Sequence, residues 1–123
     1  MFAIIFFPRI YIVTMTRTLS YLLRKEKTNV FNENRFLTCG VDSTIPLELQ
    51  LFMWNCVDQL SEPMDYLQVF TLNPVGCMQS ITHSSEEPAY RKSYLLQSDN
   101  PITEKLYIIN DVDHSTMLLA SEY

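Results

Sequence analysis

The stretch that decides the fold is residues 46–60, PLELQLFMWNCVDQL. Leu49, Phe52, Met53, Cys56, Val57 and Leu60 recur at i, i+3, i+4, i+7, i+8 and i+11. That is the period of an α-helix with one face turned to a core. Pro46 suits the first turn, Glu48 lies where the helix dipole favours a negative charge, and Pro63 ends the run. Asp42-Ser43-Thr44 just upstream offers capping chemistry. Leu47, Leu51 and Trp54 form a second apolar ridge on the other side of the wheel, more than a surface helix needs. Gln50 is a polar residue among apolar neighbours.

Outward from the helix the chain reads as strands. Residues 35–39 (RFLTC) favour β structure and end at Gly40. Residues 66–72 are apolar on both alternations, the pattern of a central strand. Asn73-Pro74-Val75-Gly76 is turn chemistry leading into a strand at 77–82. Residues 84–88 form a polar loop, 90–96 alternate, and Asp99-Asn100-Pro101 turns the chain again. Residues 105–109 form a strand that Asn110-Asp111-Val112-Asp113-His114 turns back towards 115–121, a segment the pattern leaves open between strand and helix. Short strands joined by turns predict antiparallel hairpins. The expected class is α+β: one amphipathic helix packed on a mostly antiparallel, hairpin-built sheet of five to six strands.

The chain of 123 residues has room for one domain, and its 47% hydrophobic content excludes wholesale disorder. Charge divides it. Residues 1–29 hold five basic residues against Glu26 alone, whereas residues 30–123 hold four basic against thirteen acidic. A boundary near residue 29 follows. Pro8, Arg9 and Arg17 interrupt the apolar run that a membrane helix would need, and the basic residues follow that run instead of preceding it as in a signal peptide. Arg24-Lys25-Glu26 can be encoded by a purine-rich ribosome-binding sequence and Val30 by GTG. Residues 1–29 are thus expected to be a non-domain extension, with a true start near Val30, and 30–123 the single domain. A membrane association is expected only if residues 1–23 are translated.

With two glycines the chain has neither G-x-G-x-x-G nor G-x-x-x-x-G-K-[ST]. Its acidic balance speaks against direct nucleic-acid binding. Asp111, Asp113 and His114 are metal-ligand residue types at a hairpin turn, a fragment of a site rather than a full motif. His83-Ser84-Ser85-Glu86 holds imidazole, hydroxyl and carboxylate, but neighbours on a strand face opposite ways. Cys39, Cys56 and Cys77 have no C-x-x-C spacing and an odd count, which fits reduced thiols in a cytoplasmic protein.

Residues 46–54, 65–70 (DYLQVF) and 113–120 (DHSTMLLA), with Glu122-Tyr123 at the end, resemble domain-of-unknown-function family 960. These are small Firmicutes proteins first grouped from staphylococcal sequences. The resemblance runs from about Phe31 to Tyr123, with Cys39 standing where the family pattern carries a basic residue. It implies a bacterial cytoplasmic protein, allows an origin on mobile or phage-derived DNA, and carries over no catalytic residue and no cofactor.

The reading that follows is a non-enzymatic accessory or protein-interaction domain. It would bind a protein partner or a second copy through helix 46–60, with Leu47, Leu51 and Trp54 as contacts. Two alternatives stand beside it: a metal-dependent or hydrolytic enzyme using Asp111, Asp113 and His114, and an acidic antagonist of a nucleic-acid-binding protein.

Overall fold

A computed structural model of the chain describes residues 34–111 and 113–123. The expected extension 1–29 and the start near Val30 lie outside the described residues. The elements run β1 (Asn34–Leu37), α1 (Cys39–Thr44), α2 (Leu47–Asp58), β2 (Leu67–Val75), β3 (Met78–Glu86), β4 (Ala89–Gln97), β5 (Glu104–Asn110) and β6 (His114–Leu119), closed by a 3₁₀ turn at Ala120–Glu122. The strands form one sheet in the order β1-β6-β5-β2-β3-β4.

The expected sheet needs correcting. It is mixed rather than hairpin-built throughout, because β1 pairs parallel with β6, Asn34 beside His114 and Leu37 beside Met117. A parallel partner cannot be reached by a tight turn, so no turn signal in the sequence announces it. The helical part also differs from a single helix. Cys39 and Gly40, read as the end of a strand, open α1, whose N-cap is Thr38 with its hydroxyl accepting from the Val41 amide. Asp42-Ser43-Thr44 belong to that short helix instead of capping the next. The segment left open at 115–121 is strand through Leu119 and then 3₁₀.

All six residues of the helical stripe are buried, and Val41 and Ile45 join them. They meet one face of the sheet: Phe70 and Leu72 of β2, Ile81 of β3, Leu96 of β4, Leu106 and Ile108 of β5, Met117 and Leu119 of β6. The register stacks these in rows, with Phe70 opposite both His83 and Leu106, and Ile108 opposite Met117. Pro74 continues β2 where a turn was expected. The β5 register stops at Leu72, so at Pro74 the strand faces only β3 and a missing N–H on its free side is tolerated. The chain reverses at Gly76, whose φ of 63° lies in the left-handed region.

Four polar side chains, those of Gln68, Gln79, His83 and Ser115, are fully buried on the core face of the strands. Gln79 donates to the carbonyls of Asn73 (3.2 Å), Ser80 (3.1 Å) and Ile102 (3.0 Å) and accepts from the Ile102 amide (2.8 Å), which ties the β4–β5 loop to the sheet. Gln68 donates to the Asp65 carbonyl (2.8 Å), so its amide oxygen faces His83 Nε2 at 2.6 Å. The imidazole therefore donates from Nε2. Its Nδ1 is left as a buried acceptor with no partner. His83 stacks on Phe70 with centroids 4.3 Å apart and meets Tyr90 edge-on. Asp65 holds the neighbouring loops. Partial burial opposes its charge, but the amides of Glu87 (2.9 Å), Leu67 (3.1 Å) and Glu86 (3.2 Å) outweigh it and keep the carboxyl below its ordinary range.

Two predictions follow from this core. Met53→Ala should cost about 2–5 kcal/mol by opening a cavity under α2, while Leu47→Ala at an exposed site should change stability by less than about 0.5 kcal/mol; urea unfolding at pH 7 measures both. Burial pushes the His83 imidazole down to about 4, from an ordinary value near 6.5. Above 6.5 both states are neutral and the stabilisation is fully present. Between 6.5 and 4 only the unfolded chain takes up the proton, so stability falls with falling pH and the loss levels off below 4. The wild-type urea midpoint should therefore drop across that window. His83→Asn should start lower at pH 7 and drop less.

Candidate interaction surface

The second face of the sheet is built from the alternate residues of the same strands. The register sets Phe36 beside Thr116, Leu118 beside Tyr107, Tyr107 beside Val69 and Ile109 beside Leu67. Towards β4 the face turns to hydroxyls, with Thr71 beside Thr82 and Thr82 Oγ1 3.2 Å from Ser93 Oγ. None of these residues enters the core cluster, and all are half-buried or exposed. Aromatic rings extend the apolar part. Tyr107 meets Tyr123 edge-on at 5.3 Å, Phe36 meets His114 at 5.5 Å, and Phe36 and Tyr123 are 53% and 72% exposed. Lys105 and Arg91 alternate onto this face, with Glu86 the acidic strand residue at its far corner. The acidic excess of the domain thus lies mainly on its other sides.

The ridge expected on α2 does not form one surface. Leu47 is 60% exposed, Leu51 is half-buried, and Trp54 is 7% exposed and part of the core. The guanidinium of Arg35 lies 4.5 Å over the Trp54 ring and pairs with the Asp58 carboxylate at the end of the helix. Trp54 therefore helps to hold β1 against α2.

Asp111, Asp113 and His114 do come together at the β5–β6 turn. His114 Nδ1 is 2.8 Å from Asp113 Oδ1, and its Nε2 is 3.7 Å from Asp111 Oδ2. The contact with His114 holds the Asp113 carboxyl below its ordinary range. Among the described residues no group of three or more His, Cys, Asp or Glu side chains is arranged to hold a metal ion. The ring contact with Phe36 makes this turn a corner of the open face. His83 and Ser84 point to opposite faces, one into the core and one out of it. Cys39 and Cys77 are exposed, whereas burial pushes the Cys56 thiol up to about 12.

Two cavities among the described residues open to solvent. One of about 230 Å³ lies beyond the end of α2 between Leu60, Pro63, Met64, Gln68 and Tyr90. Another of about 650 Å³ opens beside Asp65, Tyr66 and Glu87. The open face itself had a signal in the sequence. The second apolar alternation of residues 66–72 reads as a strand covered on both sides, but the described helices cover only one.

The comparisons with known proteins agree with this architecture. No curated protein matches the chain. A crystal structure titled as a protein of unknown function from Enterococcus faecalis superposes with a TM-score of 0.62 at 20% identity, covering 75% of this chain and 92% of that one. At that identity the likeness speaks for the fold. Residues 34–122 match the family described as Staphylococcal protein of unknown function (DUF960). The chain, with its mixed sheet, covering helices and open face, belongs to the DUF960 family.

Proposed function

We propose that this domain is a non-enzymatic protein-interaction module that binds through the face of its sheet that no described helix covers. One observation carries the reading: a six-stranded sheet whose described helices fill a single face, with Phe36, Tyr107, Ile109, Leu118 and Tyr123 together on the other. Contiguous apolar and aromatic surface on a small domain marks a contact site more often than a bare surface. The modest positive charge from Lys105 and Arg91 adds polar anchors at the rim. Three free cysteines support a reducing compartment, the cytoplasm of a Firmicutes bacterium. Among the described residues no helix is long and apolar enough to cross a membrane. Leu47, exposed at the start of α2 on the helix side of the molecule, serves as the control position.

Capture of the tagged full chain from its own host, followed by mass spectrometry, tests this reading. A partner recovered with the wild type should be lost with Phe36→Glu and Tyr107→Glu and retained with Leu47→Glu, all three chains keeping their melting cooperativity. Retention with the first two and loss with the third would move the interface to the helix side.

A further inference from the structure

We propose that two copies of this chain pair edge to edge through β4, antiparallel, about a two-fold axis at Ser93. The inference does not depend on the binding-face reading, since it concerns the sheet's edge and not its face. Among the described residues β4 is the last strand of the sheet and pairs on one side, with β3 over Met78–Gln97 to Glu86–Ala89. It is nine residues long, AYRKSYLLQ, with no Gly or Pro inside it. Among the described residues no turn, loop or cap hydrogen bond falls on its backbone. Its free side is therefore a row of amides and carbonyls set to accept another strand. The sheet's other edge, β1, has four residues and offers less than half that length.

The residue order selects the partner. In an antiparallel pair of identical strands, the faces and hydrogen-bonding sides match only when a residue lies opposite itself. Centring on Ser93 uses all nine residues. It sets Ala89 against Gln97, Tyr90 against Leu96, Arg91 against Leu95 and Lys92 against Tyr94 of the other copy. Neither basic residue then opposes a like charge, and each lies against an apolar or aromatic side chain. Centring on Lys92 or on Arg91 would set like charges face to face, which is destabilising. Centring on Tyr94 would leave two residues of each strand unpaired. The same charges that guard this edge against other pairings thus leave one self-pairing open. The axis stands perpendicular to the sheet, so both open faces lie on the same side of a continuous twelve-stranded sheet.

The test is the mass of the full chain by light scattering and native mass spectrometry over about 1–100 µM, the range suited to a small interface. The wild type should show a dimer. Leu95→Lys, at an exposed position, sets a lysine against Arg91 of the other copy twice over and should weaken the dimer about tenfold or more. Adding Arg91→Glu should restore it by turning both clashes into charge pairs. With Cys39 and Cys77 changed to Ser, Ser93→Cys should form a disulfide-linked dimer on mild oxidation, because the axis brings this residue against itself. A monomer across the whole range overturns the proposal. So does a dimer indifferent to Leu95→Lys and not linked through residue 93, which would place self-association elsewhere. Loss of the captured host partner with Phe36→Glu, in a chain that remains dimeric, would leave the two interfaces separate.

Discussion

Burial of α2 against the middle of the sheet is the interaction on which the rest depends. Met53 and Val57 are fully buried, and with Phe52, which meets Tyr94 of β4 edge-on at 5.0 Å, they share one core with Phe70, Ile81, Leu106 and Met117. A helix of twelve residues is about 18 Å long, while six strands span about 24 Å between the outermost axes. One such helix can roof the centre of the sheet but not its whole width. α1 adds Val41 and Ile45 on the β6 side, and the segment after α2 adds Leu60 and Met64. The opposite face has no such roof among the described elements.

The two ends of the described chain are fastened to that frame by polar contacts. Arg35 lies between Trp54 and Asp58 of α2, which holds a strand of only four residues in parallel pairing. Glu122 accepts from the Thr38 hydroxyl at 2.7 Å and from the Leu119 amide at 2.8 Å. It also lies where a side chain at position 40 would sit, which explains a glycine inside α1. The start of the first helix and the last turn of the chain are therefore one joint, although 84 residues separate Thr38 from Glu122.

Local order in the molecule is legible in its sequence, and long-range order is not. The stripe from Leu49 to Leu60 shows a helix with a buried face because its period is internal to fifteen residues. The hairpins show because Gly76 and the polar segments mark where the chain reverses. The pairing of β1 with β6 joins segments far apart in the chain and uses no turn residue, so nothing in RFLTC distinguishes an antiparallel neighbour from a parallel one. Trp54 looks like a surface anchor on a helical wheel because the wheel does not show Arg35 approaching from another strand. Gln68 and Gln79 lie in segments read as strands, while His83 falls just past the strand expected at 77–82. They are buried because each finds hydrogen-bond partners, in the backbone or in one another. The open face is half legible: its apolar alternation is visible in residues 66–72, but not that the described helices all pack on the other side.

Cys56 gives the protein an internal reporter. Its thiol lies on the buried stripe of α2, pushed far from the range where a thiolate forms, while Cys39 and Cys77 are open to solvent. A thiol-directed reagent added to the folded chain meets two reactive sulfurs, and the third becomes reactive only when α2 lifts from the sheet. Where labelling outpaces reclosing, the rate at which that last sulfur is labelled is the rate at which the core opens; at lower reagent concentration it reads the fraction of molecules that are open.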